Sequence, residues 1–367
     1  MSDCDAKPRF CVLGAGHGGM AMAGHLAIMG VPVSIYNRSE PRISPIRLTG
    51  GIELSGTVEG FGRIEVATTD VVEALAGAKI LMVVVPANGH RFMAEKVAPH
   101  LVDGQIVILN PGRTGGALEF RSVLRDRGVT ADVIVAEAQT LIYAARAVNP
   151  AQVKVFGVKN TIPVAALPGQ RTVEVVEALR RVYPQFVPGD NILKTSLDNI
   201  GAIFHPALMV LNAARIESTR GEFEFYMEGI TPAVARVLEA VDAERVNVAA
   251  ALGIRAMTAR EWLYVAYDAP GKTLYDAIRN NHGYEGITAP PIVDHRYLWE
   301  DVPMSLVPVA SLGELLGVPT PTIKGLIYLA SLLNATDYWA EGRTVERMGL
   351  QGLSSRQIRH LALEGEV

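Results

Sequence analysis

A histidine followed directly by proline stands inside an apolar stretch, "IFHPALMVLNAAR" (203–215). An unperturbed imidazole titrates near ~6.5, so His205 is a residue type that moves protons at ordinary pH. The apolar spacing predicts one helix over 193–218, with Pro206 kinking it at a cost of ~3 kcal/mol. Gly201 lies one turn earlier and leaves space over that face, and Asn212 lies two turns later on the same stripe. Two readings follow from the residue types alone. His205 is a hydrogen-bonded core histidine, or it is a proton carrier placed at a kink beside a gap.

A second concentration of polar chemistry falls in "APPIVDHRYLWEDVPMSLVP" (289–308), where Asp294, His295, Arg296, Glu300 and Asp301 crowd between prolines. The pattern reads as a loop followed by a short helix. Such charge density suits a solvated loop. It also suits a substrate site, because Arg clamps a carboxylate through two hydrogen bonds and an acid can orient a histidine.

A third constellation is "FCVLGAGHGGMAMAGH" (10–25). An unbroken apolar run reads as a strand buried on both faces. The loop that follows is G-x-G-x-x-G, and a helix and a second strand, "VPVSIYNRSE", come after it. In this order Gly14 permits a tight turn, Gly16 lets backbone N–H groups approach a pyrophosphate, and Gly19 lets helix and strand pack closely. His17, Gly18 and Gly19 open the helix whose N-terminus favours an anion. The expected ligand is a nicotinamide dinucleotide. NAD proteins usually end the second strand on an acid, whereas an Arg there accommodates a 2′-phosphate. Here the chain reads Tyr36-Asn37-Arg38-Ser39, so NADP(H) is favoured, with NAD(H) as the alternative. Arg38 as a solvated loop residue is the plainer reading.

These residues need scaffolding, and the rest of the chain supplies a pattern for it. Further buried strands, "AKILMVVVPANGH" (78–90) and "GQIVILNPGRTGGALEF" (104–120), end in loops carrying Pro86, Asn88, Asn110, Pro111 and Gly112. Loops at the carboxyl ends of such strands line a dinucleotide crevice, although each residue also fits ordinary turn chemistry. Residues 43–68 alternate apolar and polar side chains between glycines and read as inserted antiparallel strands. From about residue 192 the strand signal stops and capped helices take over, among them "TPAVARVLEAVDAERVNVAAALG" (231–253) and "TAREWLYVAY", which opens on a Thr258–Glu261 capping box. The fold class expected is α/β: an N-terminal Rossmann-type doubly wound domain (1–190), then an all-helical C-terminal domain (191–367). A length of 367 residues agrees with two domains, since single cores stop growing at roughly 250–300 residues.

Composition removes several functions. Net charge is −4 and no Lys/Arg block appears, which argues against nucleic acid as a partner. The longest apolar run is too short to span a bilayer, and the first residues lack a signal core, so a soluble cytoplasmic protein is expected. Cys4 and Cys11 form neither a disulfide framework nor a zinc site. An apolar helical domain makes a homodimer the expected assembly.

Taken together, "GAGHGG", "VPANGH", "NPGRTGGALEF", "IFHPALMVLNAARIE", "GEFEFYMEGITPAV" and "HRYLWEDVP" resemble the octopine/nopaline (opine) dehydrogenase family over nearly the whole chain. The resemblance implies a Rossmann domain followed by a helical substrate domain, with the active site in the cleft. It implies reductive condensation of an amino acid with a 2-oxo acid through an imine. His205 matches the family's histidine before proline, Asp301 its paired aspartate, and Arg296 a carboxylate ligand. Octopine enzymes carry Glu before a T-L-aromatic-x-x-R pattern; this chain has Gln139 before Thr140-Leu141, with Tyr143 and Arg146 following. That departure speaks against arginine as the amine. A ketopantoate- or glycerol-3-phosphate-dehydrogenase-like carbonyl reductase and a non-catalytic NADP sensor are the rival readings.

Overall fold

The computed structural model describes residues 7–366, so Cys4 lies outside the described residues. The described chain divides into two compact units. One comprises residues 7–112, 116–195 and 360–366, the other residues 113–115 and 196–359. A linear division at 190 assigns the C-terminal segment to the helical part. In the structure Arg121 Nη2 donates to the Gly365 carbonyl at 2.8 Å and the end of the chain belongs to the first unit.

The first unit begins β1 (Phe10–Leu13), α1 (His17–Ile28), β2 (Val33–Tyr36), α2 (Glu40–Thr49), β3 (Gly51–Gly56), β4 (Gly60–Arg63), β5 (Val66–Thr68), α3 (Val71–Leu75), β6 (Ile80–Val83), α4 (His90–Val97), β7 (Ile106–Leu109) and α5 (Gly116–Asp126). It continues β8 (Ile134–Ala138), β9 (Tyr143–Asn149), β10 (Gln152–Val158), β11 (Ile162–Leu167), α6 (Thr172–Leu179) and β12 (Phe186–Pro188). Eight strands form one sheet in the order β12-β11-β8-β7-β6-β1-β2-β5. All its neighbours are parallel except β8 and β11. Its central strands β1, β2, β6 and β7 are buried at every residue, which is why their sequences show no alternation. Four strands form a second sheet, β4-β3-β10-β9.

Residues 43–68 depart from the expected run of antiparallel strands. The segment opens as the helix α2, because Pro41 suits a first turn, Ile43 and Ile46 bury three residues apart, and Gly50 at φ 72° ends it. Only β3 and β4 form the antiparallel pair, while β5 joins the main sheet parallel to β2.

After α7 (Ile192–Leu197), within which the division between units falls, come α8 (Gly201–Leu211), α9 (Ala213–Thr219), α10 (Pro232–Ala251), α11 (Ala259–Tyr267), α12 (Leu274–Arg279) and α13 (Arg296–Trp299). A π-helical turn (Val302–Leu306) leads into α14 (Val307–Leu316), then α15 (Pro321–Leu333), α16 (Tyr338–Glu341) and α17 (Ser355–Glu364). The Thr231 cap of α10 and the Thr258–Glu261 box of α11 are both formed. The single helix expected over 193–218 is three. Buried Arg245 takes the Leu197 carbonyl, and Asp198 Oδ1 accepts from Met257 N at 2.8 Å, so the first break serves tertiary partners. At the second, Asn212 Nδ2 donates to the carbonyls of Leu208 (3.0 Å) and Gly229 (3.1 Å). Both junctions place polar groups where an uninterrupted helix has none to give.

Candidate active site

In the first unit the glycine loop joins β1 to α1. Gly14 has φ 124°, and a Cβ there would lie 2.3 Å from the Val84 carbonyl oxygen. A Cβ on Gly19 would lie 1.9 Å from the Gly14 carbonyl oxygen. Gly16 differs: its Cβ position has no protein atom within 4 Å. Gly14 therefore packs the loop against the end of β6 and Gly19 packs it on itself, while Gly16 faces open space. Gly16 caps α1 without a side-chain hydrogen bond, so the first-turn N–H groups of a twelve-residue helix face that space. This cradle fits a pyrophosphate. His17, exposed at the start of α1, accepts from Ala147 N at 2.8 Å, and Gly18 packs under Leu141.

At the end of β2, Asn37 Oδ1 accepts from Ala15 N at 3.3 Å and ties the strand end to the loop. Arg38 is exposed, with its guanidinium 5.5 Å from the Phe92 ring centroid. Ser39 caps α2 without committing its hydroxyl to a capping bond. Glu40 is held by Arg47 at 2.9 Å, so the acid nearest this end carries its own counter-charge. A cavity of about 400 Å³ beside the loop is lined by His17, Ser39, Arg42 and Ala147, among others. Pro86 and Asn88 follow β6 and are exposed. Asn110, Pro111 and Gly112 follow β7; Asn110 Oδ1 is buried without a hydrogen-bond partner, and a Cβ on Gly112 would strike Glu137 Oε2 at 2.4 Å.

The second unit brings the two distant polar segments together. His205 Nδ1 lies 2.7 Å from Asp301 Oδ2. Asp301 is 1% exposed, and its carboxyl is held below the usual range. Burial opposes this, but Arg113 and the His205 hydrogen bond outweigh it. An ionised carboxylate only accepts, so Nδ1 carries the proton and Nε2 is the nitrogen left for chemistry. Tyr297 stacks on the imidazole at 3.9 Å between centroids, 15° from parallel, and Phe225 stacks behind it at 5.6 Å. His295 meets the Tyr297 ring edge-on at 4.6 Å.

Arg113 is the residue that sequence reading missed. It lies inside "NPGRTGG" and adopts φ 58°, the left-handed region a side chain rarely takes. Its Nε lies 3.5 Å from Glu300 Oε1 and its Nη2 3.5 Å from Asp301 Oδ1. The space that Gly201 leaves is filled by this side chain: a Cβ on Gly201 would lie 3.1 Å from Arg113 Nη1 and 3.6 Å from His205 Cε1. A lone arginine among loop glycines was the available signal, but nothing local tells that it turns toward Asp301. Tyr297 was equally hidden, since stacking depends on where α8 and α13 meet.

Of the remaining candidates Arg296 lies beside this cluster and the others are dispersed. Arg296 is 47% exposed and pairs with Glu300 across one helical turn. Asn212 spends both amide hydrogens at the α8–α9 junction, leaving only its oxygen. Tyr143 is buried in the first unit, where His25 Nδ1 and the Tyr183 hydroxyl each lie 2.8 Å from its own; the structure gives it a packing role. Thr140 accepts from Lys159 at 2.6 Å, and Gln139 N donates to the Pro163 carbonyl.

Known proteins resemble this chain along nearly its whole length. Residues 188–334 match the α-helical domain of NAD/NADP octopine/nopaline dehydrogenases, and residues 9–112 match the N-terminus of NAD-dependent glycerol-3-phosphate dehydrogenase. An opine dehydrogenase of Arthrobacter sp. (strain 1C) is 39% identical over 351 residues, covering 95% of this chain and 97% of that protein. An octopine dehydrogenase solved with NADH and L-arginine superposes with a TM-score of 0.82 at 23% identity, covering 97% and 98%. Yersinopine dehydrogenase with NADP⁺ bound superposes at 0.74 and 17%, covering 98% of each chain. With two-fifths of its residues shared along almost its full length with one relative, the chain belongs to the octopine/nopaline (opine) dehydrogenase family.

Proposed function

We propose that this chain condenses the amino group of an amino acid with a 2-oxo acid and reduces the imine with NADPH. As an opine dehydrogenase it is a nicotinamide-dependent oxidoreductase acting on the CH–NH group. The relatives solved with NADH and L-arginine or with NADH and pyruvate support the substrate classes. The observation that carries the mechanism is the 2.7 Å contact between His205 Nδ1 and Asp301 Oδ2.

Asp301 fixes the imidazole with Nδ1 protonated, so Nε2 accepts the proton that the amine loses as it adds to the oxo carbon. Nε2 returns that proton to the oxo oxygen, giving the carbinolamine, and a second nitrogen-to-oxygen transfer by the same route lets the hydroxyl leave as water and gives the imine. Arg296 holds the oxo-acid carboxylate through its planar fork. The nicotinamide, when bound, supplies the hydride that reduces the imine carbon. Gly16 and the first turn of α1 hold the pyrophosphate. Arg38, the free Ser39 hydroxyl and Arg42 at the start of α2 favour a 2′-phosphate, while Glu40 is occupied by Arg47.

The test is cofactor oxidation with an oxo acid alone and then with amino acids added, using NADPH and NADH in parallel. Turnover that requires both organic substrates supports the reading. Turnover on the oxo acid alone returns it to a carbonyl reductase, and no turnover with tight cofactor binding makes it a sensor. We further infer a cytoplasmic homodimer. The exposed apolar side chains Tyr328, Leu329, Leu332 and Leu333 on α15 support the assembly, and light scattering checks it.

A further inference from the structure

We propose that Arg113 is a positioning residue that balances the buried Glu300 and Asp301 carboxylates beside His205, and so tunes the acid limb of the pH–rate profile. The proposal rests on the reading of His205 as the proton carrier.

The backbone shows that Arg113 is placed there at a cost. A non-glycine residue held in the left-handed region is strained and persists only where its surroundings over-determine it. Those surroundings are present. Thr114 N donates to the Met304 carbonyl at 3.4 Å, and the Thr114 carbonyl accepts from buried Arg343 at 2.8 Å. Gly115 N donates to Ser196 Oγ at 2.9 Å. Asn199 Nδ2, 2.9 Å from Ser305 Oγ, also reaches Thr114 Oγ1 at 3.4 Å. The tripeptide is pinned from three segments, and the side chain it presents is directed at the carboxylates.

The hold of that side chain on the carboxylates is mainly electrostatic. Both of its carboxylate contacts are 3.5 Å, and Arg113 Nε and Asp301 Oδ1 are buried without a hydrogen-bond partner. What remains is charge acting at short range in a buried setting, where it is poorly screened. Two guanidinium groups, Arg113 and Arg296, stand against two carboxylates, Glu300 and Asp301. These four charges cancel when the imidazole is neutral, and a protonated ring adds a positive charge to them. Two further charges stand nearby: Asp294, which acts on His295, and buried Arg343 on the Thr114 carbonyl. Burial raises the Tyr297 and Tyr226 phenols and lowers His295, the last helped by Arg296 and His205. Arg113 itself stays charged: burial disfavours the cation, but Asp301 and Glu300 overcome it.

A neutral ring is the form that accepts a proton from the amine, so activity rises with pH along the acid limb. Removing the Arg113 charge leaves the cluster negative, favours the protonated ring and moves that rise to higher pH. Removing the Glu300 charge leaves it positive and moves the rise to lower pH.

The experiment is the pH profile of kcat/KM in the condensing direction for the unmodified enzyme and for Arg113→Gln, Arg113→Lys, Glu300→Gln and His205→Asn. Dinucleotide binding by fluorescence serves as the folding control. Arg113→Gln is expected to move the acid limb up by about 1 unit or more, Arg113→Lys to restore most of it, and Glu300→Gln to move it down. An unmoved limb in Arg113→Gln, a lysine variant no better than glutamine, or an upward move in Glu300→Gln overturns the proposal. Should Arg113→Gln not fold, the direction of the Glu300→Gln shift decides. Near-normal activity in His205→Asn overturns the underlying reading instead, and so separates the two failures.

Discussion

His205 Nδ1 and Asp301 Oδ2 lie 2.7 Å apart although 96 residues separate them in the chain. A pair acting as one unit loses its contribution once, whichever member goes. His205→Asn is expected to lower kcat by ~10²–10⁴-fold while the dinucleotide Kd is kept. Asp301→Asn lowers kcat and moves the acid limb of the pH–rate profile to lower pH, because the protonated ring loses its partner. The double variant is little worse than His205→Asn. Steady-state kinetics on the four proteins checks this, and additive losses return His205 to the core.

The glycine loop separates packing from ligand contact. Gly16→Ala meets no protein atom, so its Tm is expected to match the parent while dinucleotide binding weakens about tenfold, some 1.4 kcal/mol. Gly19→Ala drives a methyl group into the Gly14 carbonyl and destabilises the fold by ~1–3 kcal/mol. Thermal unfolding and binding titrations of both variants are the measurement. Loss of stability in Gly16→Ala, with binding intact, contradicts the assignment.

Arg38 and the committed Glu40 make the end of β2 cationic. NADPH is expected to bind more tightly than NADH, and Arg38→Ala to lose about 1.5–3 kcal/mol of that difference. Competitive titration of both nucleotides gives the result directly. Equal affinities in the unmodified protein remove the preference.

Arg296 presents a planar fork from the first turn of α13 while half exposed. Arg296→Lys keeps the charge and loses the fork. The KM for the oxo acid should rise far more than the KM for the dinucleotide. An unchanged oxo-acid KM takes Arg296 out of the site.

Asp301 also makes stability depend on acid. Its carboxyl is buried and held below the ordinary range, so its contribution is fully present above about pH 3.9 and is lost as pH falls through the depressed folded value. In Asp301→Asn that acid-dependent loss disappears, while at neutral pH buried Arg113 keeps one carboxylate fewer and the fold weakens by ~3–5 kcal/mol. Urea unfolding between pH 2 and 7 resolves both effects, and parallel acid limbs in the two proteins contradict the assignment.

Local chemistry by itself determined a good deal of this protein. The apolar runs that became β1, β2, β6 and β7, the spacing of Gly14, Gly16 and Gly19, and the caps at Thr231 and Thr258 are decided within a few residues of chain, so their signals survive reading in one dimension. The family was legible for the same reason, because its motifs are contiguous. The segment 43–68 misled because buried Ile43 and Ile46 fit either period until α2 is seen to start beside Pro41.

Tertiary structure alone decided the rest. The helix over 193–218 is cut where the Leu197 carbonyl and Asp198 find partners outside it, in Arg245 and Met257 N, and no local propensity carries that information. The gap beside Gly201 was legible, but its occupant was not. Arg113 reaches it from a loop 88 residues earlier in the chain, in a backbone conformation that only the surrounding packing sustains. Charge balance among Arg113, Arg296, Glu300 and Asp301 is a sum over distances, and distances between remote residues exist only once the chain has folded.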